Sequence, residues 1–169
     1  MKSFLQSLDA DEASGVLKAL LDDDSELVEK AYNIAMEVVG DADSDEIMEA
    51  VYFELDLLDA EDIGSLSGRT RHGYVEPTEA AWMIFEDALR PFIDAMEKNQ
   101  RRGLPAASKI HCIGIIKGLR IYEEESQSEF KDWLPDAPGE YIATVVKEWK
   151  KGKPSREDIA EVMGFVKGG

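Results

Sequence analysis

A short stretch at residues 68–74 holds the side chains of this sequence that are best suited to binding chemistry. It reads Gly-Arg-Thr-Arg-His-Gly-Tyr, and its candidate binding residues are Arg69, Arg71, His72 and Tyr74. Arginine binds carboxylates and phosphates through two parallel hydrogen bonds, and flanking glycines let backbone N–H groups come close to an anion. A helix predicted to begin at Pro77 adds a favourable potential for negative charge at its N-terminus. The stretch is therefore a candidate contact for a protein partner or a small anionic ligand.

A structural role is the alternative for the same stretch. In that role, Arg69 and Arg71 pair with the acidic first half of the chain and hold the loop against it. The two roles are separable, because only the structural one predicts a large fall in melting temperature when both arginines are replaced by alanine.

Several stretches approach the spacing of catalytic or metal-binding motifs but lack the residue types that those motifs require. Di-iron sites in helical bundles use Glu-x-x-His pairs, but neither of the two histidines has a glutamate three positions before it. The acidic run 41–45 begins like a calcium loop, yet Glu46 and Tyr52 replace the required Gly and Glu. Residues 64–68 resemble a hydrolase elbow with Leu66 where the nucleophile belongs. The pattern predicts no catalytic residue, metal or cofactor, and it favours a non-enzymatic protein.

The lone cysteine and its neighbour are predicted to be interior residues. Cys112 is the only cysteine, which excludes an internal disulfide and a multi-cysteine zinc site. Isoleucines surround it in sequence, so we expect a buried thiol that behaves as a small apolar group. His111, in the same apolar run, is expected to be a hydrogen-bonded interior histidine rather than a metal ligand.

Helices are the elements that must position these residues. Apolar stretches end in acidic clusters three times, at 20–24, 38–43 and 57–62. The spacing of about 18 residues accommodates one helix and a short connection. Each cluster is predicted to start the next helix, with Asp23 and Asp43 at capping positions.

Apolar side chains recur at helical spacing along most of the chain. The predicted stripes are Leu27, Ala31, Ile34 and Val38; Ile47, Val51, Leu55 and Leu58; Trp82, Phe85, Leu89, Phe92 and Met96; and Tyr141, Val145 and Trp149. A helix at about 104–123 is apolar on nearly all sides and is predicted to be central. Within it, Gly114 and Gly118 are spaced to let a neighbouring helix approach closely.

These patterns predict an all-α fold of eight or nine helices without a strand. The helices are expected to form antiparallel hairpins, arranged either as a short α-solenoid or as an irregular bundle. We expect a single domain over 1–169, with an acidic helical half at 1–63, an irregular loop at 64–76 and a second helical half at 77–169.

The net charge of −17 is concentrated in the first half of the chain. Residues 1–68 contain 3 Lys/Arg and 19 Asp/Glu, whereas residues 69–169 contain 16 and 17. This distribution argues against nucleic acid as the main partner, because it repels phosphate backbones. It suits a protein partner with a basic surface, and solubility is the alternative explanation.

Membrane insertion and secretion are not expected. No stretch approaches the ~20 apolar residues that cross a bilayer. The N-terminal residues also lack the apolar run of a signal peptide. A cytoplasmic location is the remaining expectation.

The succession of short helices resembles α-helical repeat proteins of the HEAT and tetratricopeptide kinds over residues 10–150, in helix length and turn spacing. The tetratricopeptide signature residues do not occur, so the resemblance implies no functional residues. It implies a surface offered to a protein partner, and apolar end faces leave self-association open. The expected function is protein–protein interaction or scaffolding through an acidic N-terminal surface. The alternative is a helical domain, enzymatic or not, that binds a small anionic ligand at Arg69–Tyr74.

Overall fold

A computed structural model describes residues 1–40, 43–70 and 73–168. Within these ranges there are nine α-helices, one 3₁₀ helix and one two-stranded sheet, which confirms the predicted all-α class. Contacts group the chain into two compact units that meet in sequence at residues 41–42. The expectation of a single domain stays a prediction, and each unit is described by itself.

The first unit consists of three helices: α1 (Lys2–Gln6), α2 (Ala10–Asp23) and α3 (Ser25–Gly40). A capping box starts α2, because the Asp9 carboxylate accepts from the Glu12 N–H at 2.8 Å while the Glu12 carboxylate accepts from the Asp9 N–H at 3.0 Å. Helices α2 and α3 contact each other. Every fully buried side chain among those that the structure describes belongs to the second unit.

The second unit contains the remaining elements. They are α4 (Ser44–Asp56), α5 (Ala60–Leu66), β1 (Gly68–Thr70), β2 (Gly73–Val75), α6 (Pro77–Arg101), α7 (Pro105–Glu125), a 3₁₀ helix (Glu129–Trp133), α8 (Ala137–Lys150) and α9 (Arg156–Val166). As predicted, Pro77 begins a long helix in the first turn, where its missing N–H costs nothing.

Acidic clusters start the helices that follow them, as the sequence predicts. Asp43 accepts from a backbone N–H at 2.8 Å to begin α4, and Asp59 does the same at 2.9 Å for α5. At α3 the bonded carboxylate is that of Asp24, at 2.9 Å from the Glu26 N–H, one residue after the predicted Asp23. The shift follows from the helix beginning at Ser25.

Helix α7 is the centre of the second unit and packs against α4, α6, α8 and α9. Its residues 112–116 are buried, as predicted. Gly114 and Gly118 face α4 so closely that a Cβ on either would lie 2.6 Å from the Cβ of Ile47 or Val51. The predicted close approach is therefore confirmed. The arrangement is a bundle, since α4 packs on a helix far from it in sequence.

The other apolar stripes of the second unit also form its core. Val51 and Leu55 of α4 are fully buried, and the remaining members pack against this core. The stripe of α6 contributes its fully buried residues Phe85, Leu89 and Met96. The stripe of α8 contributes Tyr141, Val145 and Trp149. At about 25 cal/mol per Å² of apolar surface removed from water, these side chains are the main source of the unit's stability.

Polar side chains of α7 join it to its neighbours. The Lys109 ammonium lies 2.8 Å from Asp158 and 2.7 Å from Glu161, both on α9. Farther along the helix, the Lys117 ammonium lies 2.7 Å from Asp45 on α4. These lysines interrupt the apolar run of the sequence, and the structure uses them as links between helices.

The segment 64–76 was predicted to be an irregular loop without strands, and this prediction is wrong. Its first residues complete α5, and β1 and β2 pair antiparallel with Arg69 opposite Tyr74. Strands of three residues are too short for alternation at period two to be readable. Gly68 and Gly73 adopt φ values of 103° and 140°, a conformation that favours glycine.

Candidate functional site

The hairpin formed by β1 and β2 carries two of the four predicted binding residues in the described ranges. Arg69 and Tyr74 are cross-strand partners, and both are exposed, Tyr74 to 63%. Arg71 and His72 lie outside the described residues. The prediction that the four side chains form one binding site therefore stays a prediction.

The environment of Arg69 bears on the alternative structural role. No ion pair joins Arg69 to any carboxylate in the described parts of the chain. An exposed guanidinium without a partner is available to an outside carboxylate or phosphate. The pairing of Arg69 that the structural role requires is thus not seen among the described residues, and its role stays a prediction.

His111 and Cys112 are interior residues, as predicted. The Cys112 side chain is fully buried, and burial raises the pKa of its thiol to about 12. The half-buried His111 places its Nδ1 3.0 Å from the Ala107 carbonyl oxygen and 3.4 Å from Asn99 Nδ2, so this nitrogen has a hydrogen-bond partner in either tautomer. Both side chains are occupied by packing or bonding and are poorly suited to attack a substrate.

Acidic, histidine and cysteine side chains of the described residues are the candidate metal ligands. No group of three or more of them is arranged to hold an ion. Part of the acidic run 41–45 lies outside those residues. Within the described ranges no helix combines the length and the apolar composition that crossing a bilayer requires.

The largest departure from the sequence expectation lies on α2 and α3. These helices expose large apolar side chains, which we call the N-terminal apolar residues: Val16 (41%), Leu17 (49%), Leu20 (49%), Val28 (45%), Tyr32 (60%) and Ile34 (50%). An exposed single leucine is ordinary, but six such side chains on two neighbouring helices are an unusual concentration of exposed apolar surface.

Helical geometry groups the α2 members of this set on one side of that helix. On α2, Val16, Leu17 and Leu20 are spaced by one, three and four positions and so share a face. On α3, the N-terminal apolar residues flank Leu27 and Ala31, which are half-buried. Lys18 and Asp22 lie on the opposite side of α2, so this helix is amphipathic.

Acidic groups dominate the surroundings of the N-terminal apolar residues. Residues 1–41 contain 10 Asp/Glu and 3 Lys/Arg. A surface of this kind combines an apolar centre with a negative rim, which repels anionic partners and attracts basic ones.

Sequence reasoning recognised part of this surface but misplaced it. The stripe Leu27, Ala31, Ile34 and Val38 was a predicted core stripe, yet Ile34 is half exposed and none of the described members is fully buried. Periodicity reveals that a helix has an apolar side, but it does not reveal whether that side is covered within the chain.

Comparisons with protein-family models, with curated proteins and with solved structures find no match to this chain. The resemblance to helical repeat proteins is therefore supported at the level of a helical architecture and no further.

Proposed function

We propose that this chain is a non-enzymatic interaction protein that binds a protein partner through the N-terminal apolar residues of α2 and α3. The observation that carries the proposal is their exposure, between 41% and 60%, on two helices whose described side chains include none that is fully buried. A partner that covers the exposed part of a leucine removes apolar surface from water, which is favourable by about 25 cal/mol per Å². Six such side chains supply enough for a specific contact.

The partner class follows from the charges. With 10 Asp/Glu against 3 Lys/Arg in residues 1–41, the fitting partner is a basic amphipathic helix. Its apolar face covers the leucines and its lysines and arginines meet the acidic rim, as in helix-in-groove recognition. The opposite charges speed association and reject acidic partners.

The Arg69–Tyr74 hairpin has a secondary place in this proposal. The exposed Arg69 and Tyr74 are types that are enriched at interfaces. They supply a second contact to the partner or, in the alternative function, hold a small anionic ligand.

The test uses the full chain and a labelled synthetic amphipathic helix with a leucine face and lysine flanks. Fluorescence anisotropy measures binding at low salt. The double variant Leu17→Gln/Leu20→Gln is expected to weaken binding about tenfold or more, because glutamine keeps helix propensity and removes apolar area. Gly15→Gln, on the opposite side of α2 at a position where a Cβ meets nothing within 4 Å, is the matched control and is expected to bind like the parent chain.

Specificity is tested with a second peptide in which glutamate replaces every lysine. The proposal expects no binding of this peptide. Equal binding of both peptides, or equal binding of the parent and the double variant, contradicts it. So does a stable dimer of the parent chain that Leu17→Gln/Leu20→Gln converts to a monomer, because a second copy would then cover these residues.

A further inference from the structure

A surface groove runs between α6 and α8 and encloses about 350 Å³. Its walls are formed by residues of these two helices alone, namely Glu86, Arg90, Ile93, Asp94, Glu97, Tyr141, Thr144 and Glu148. The volume lies at the lower end of the range for small-ligand sites. Any ligand that fits it is small or slender.

Two carboxylates of this groove have no internal countercharge. Glu97 pairs with Arg101 at 3.3 Å, and Glu148 pairs with Lys151. Neither Glu86 nor Asp94 forms an ion pair with a cation of the described residues. Being eight positions apart on α6, these two are separated by about 12 Å along the helix axis.

Arg90 lies between these two carboxylates in sequence, but its guanidinium contacts a different carboxylate. It contacts Asp87 at 3.4 Å, and both side chains are largely exposed. Exposed pairs of this kind are weak. The groove therefore has two negative ends, and its middle holds the Arg90 guanidinium beside polar and apolar side chains.

Tyr141 is a second, independent feature of the groove. Its side chain is only 8% exposed, and its ring is held edge-to-face against Phe85 at a centroid distance of 5.7 Å. Its hydroxyl forms no hydrogen bond with the described residues, although it lies where a groove ligand would meet it. Burial raises the pKa of Tyr141 and the nearby Glu86 carboxylate adds to the rise, so the hydroxyl stays neutral and can accept from a cation.

We propose that the α6–α8 groove binds a slender aliphatic polyamine, whose ammonium groups meet Glu86 and Asp94 while its methylenes cross Ile93 and the Tyr141 ring. The Tyr141 hydroxyl accepts a hydrogen bond from an inner ammonium. The same chemistry is offered by lysine side chains of a partner peptide. The proposal does not depend on the proposed function, because every lining residue belongs to α6 or α8.

Isothermal titration of the full chain with spermidine at low salt tests this proposal. One saturable site is expected. Glu86→Gln/Asp94→Asn is expected to weaken it about tenfold, since each carboxylate loses an ionic contact in a partly enclosed groove. Tyr141→Phe keeps the ring packing and is expected to weaken binding several-fold, with the melting temperature unchanged because the hydroxyl has no internal bond.

The matched control removes two other exposed carboxylates with Glu123→Gln/Glu125→Gln. This control matters because a chain of net charge −17 attracts any polycation. Equal weakening by both double variants, an unsaturable titration or unchanged binding in Tyr141→Phe would overturn the proposal. A lysine-spaced peptide that competes with spermidine identifies partner side chains as the source, whereas failure to compete identifies a free polyamine; both results keep the ligand chemistry.

Discussion

Gly118 allows α7 and α4 to approach more closely than any side chain would permit. A Cβ at this position would lie 2.6 Å from Val51 Cβ and 2.8 Å from the Met48 carbonyl oxygen, and the second of these atoms is backbone. We expect Gly118→Ala to lower the free energy of unfolding by about 1–3 kcal/mol, because the two helices must separate. Urea unfolding followed by circular dichroism measures the change.

Gly164 of α9 provides the contrast, since a Cβ there meets nothing within 4 Å. Gly164→Ala is expected to raise the free energy of unfolding by about 0.5–1 kcal/mol through the entropy of the unfolded chain. If both substitutions stabilise, the close packing of α4 on α7 is wrong.

Arg69 permits a second test at the level of one residue. Because it has no ion pair in the described structure, Arg69→Ala is expected to shift the melting temperature by less than about 2 °C. Differential scanning calorimetry measures it, with the fully buried Leu89→Ala as the destabilised reference. A fall in the melting temperature of Arg69→Ala that approaches the fall in Leu89→Ala would support the structural role of the loop instead.

Some residues could be assigned from sequence and others could not. Cys112 was predictable because isoleucines flank it at 110, 113, 115 and 116. The hydroxyl of Tyr141 was not, since the sequence does not show that α8 brings it beside Glu86 on α6. Contacts between residues far apart in the chain depend on the packing of whole helices, which periodicity alone does not specify.

At the scale of elements, the ion pair that joins Lys109 of α7 to Asp158 of α9 makes a pH-dependent contribution to stability. The hydrogen bond from Lys109 lowers the pKa of the Asp158 carboxyl, and the bond from Ser155 lowers it further. A carboxyl whose folded-state pKa is below its unfolded value of about 3.9 stabilises the fold above that pH. The contribution is lost as the pH falls through the folded-state pKa.

We therefore expect Asp158→Asn to be less stable than the parent chain at pH 6. The difference should shrink as the pH falls below about 4, where the parent loses the same interaction. Chemical unfolding at a series of pH values measures it. Lys109→Met serves as the partner in a double-mutant cycle, in which the combined loss is smaller than the sum of the two. Losses of stability that simply add in the double variant would contradict the interaction between Lys109 and Asp158. So would a stability difference between Asp158→Asn and the parent chain that grows as the pH falls.

Element positions were largely predictable, because local chemistry determines where helices begin. The acids at Asp43 and Asp59 and the proline at Pro77 each mark a start that the structure confirms. The strands β1 and β2 were missed, since three residues carry too little pattern. The packing of α4 on α7 was also unpredictable, although the glycine spacing indicated that some helix would approach.

At the scale of the whole molecule, burial is distributed unequally. Among described residues, all fully buried side chains lie at or after Val51, and α2 and α3 rely on half-buried contacts. Backbone amides open more readily where few apolar contacts hold them. Hydrogen exchange is therefore expected to be fast in α2 and α3 and slowest in α7, as measured by mass spectrometry. Equal protection of the three helices would contradict this picture.

Hydrogen exchange in the presence of the basic amphipathic peptide tests most directly the claim that α2 and α3 carry the partner surface. Peptide binding covers the N-terminal apolar residues and orders their helices, so exchange should slow across residues 10–35 and stay unchanged in α7. The Leu17→Gln/Leu20→Gln variant should show no such slowing. Protection that appears only within residues 43–168, or in the variant as strongly as in the parent chain, would contradict the account.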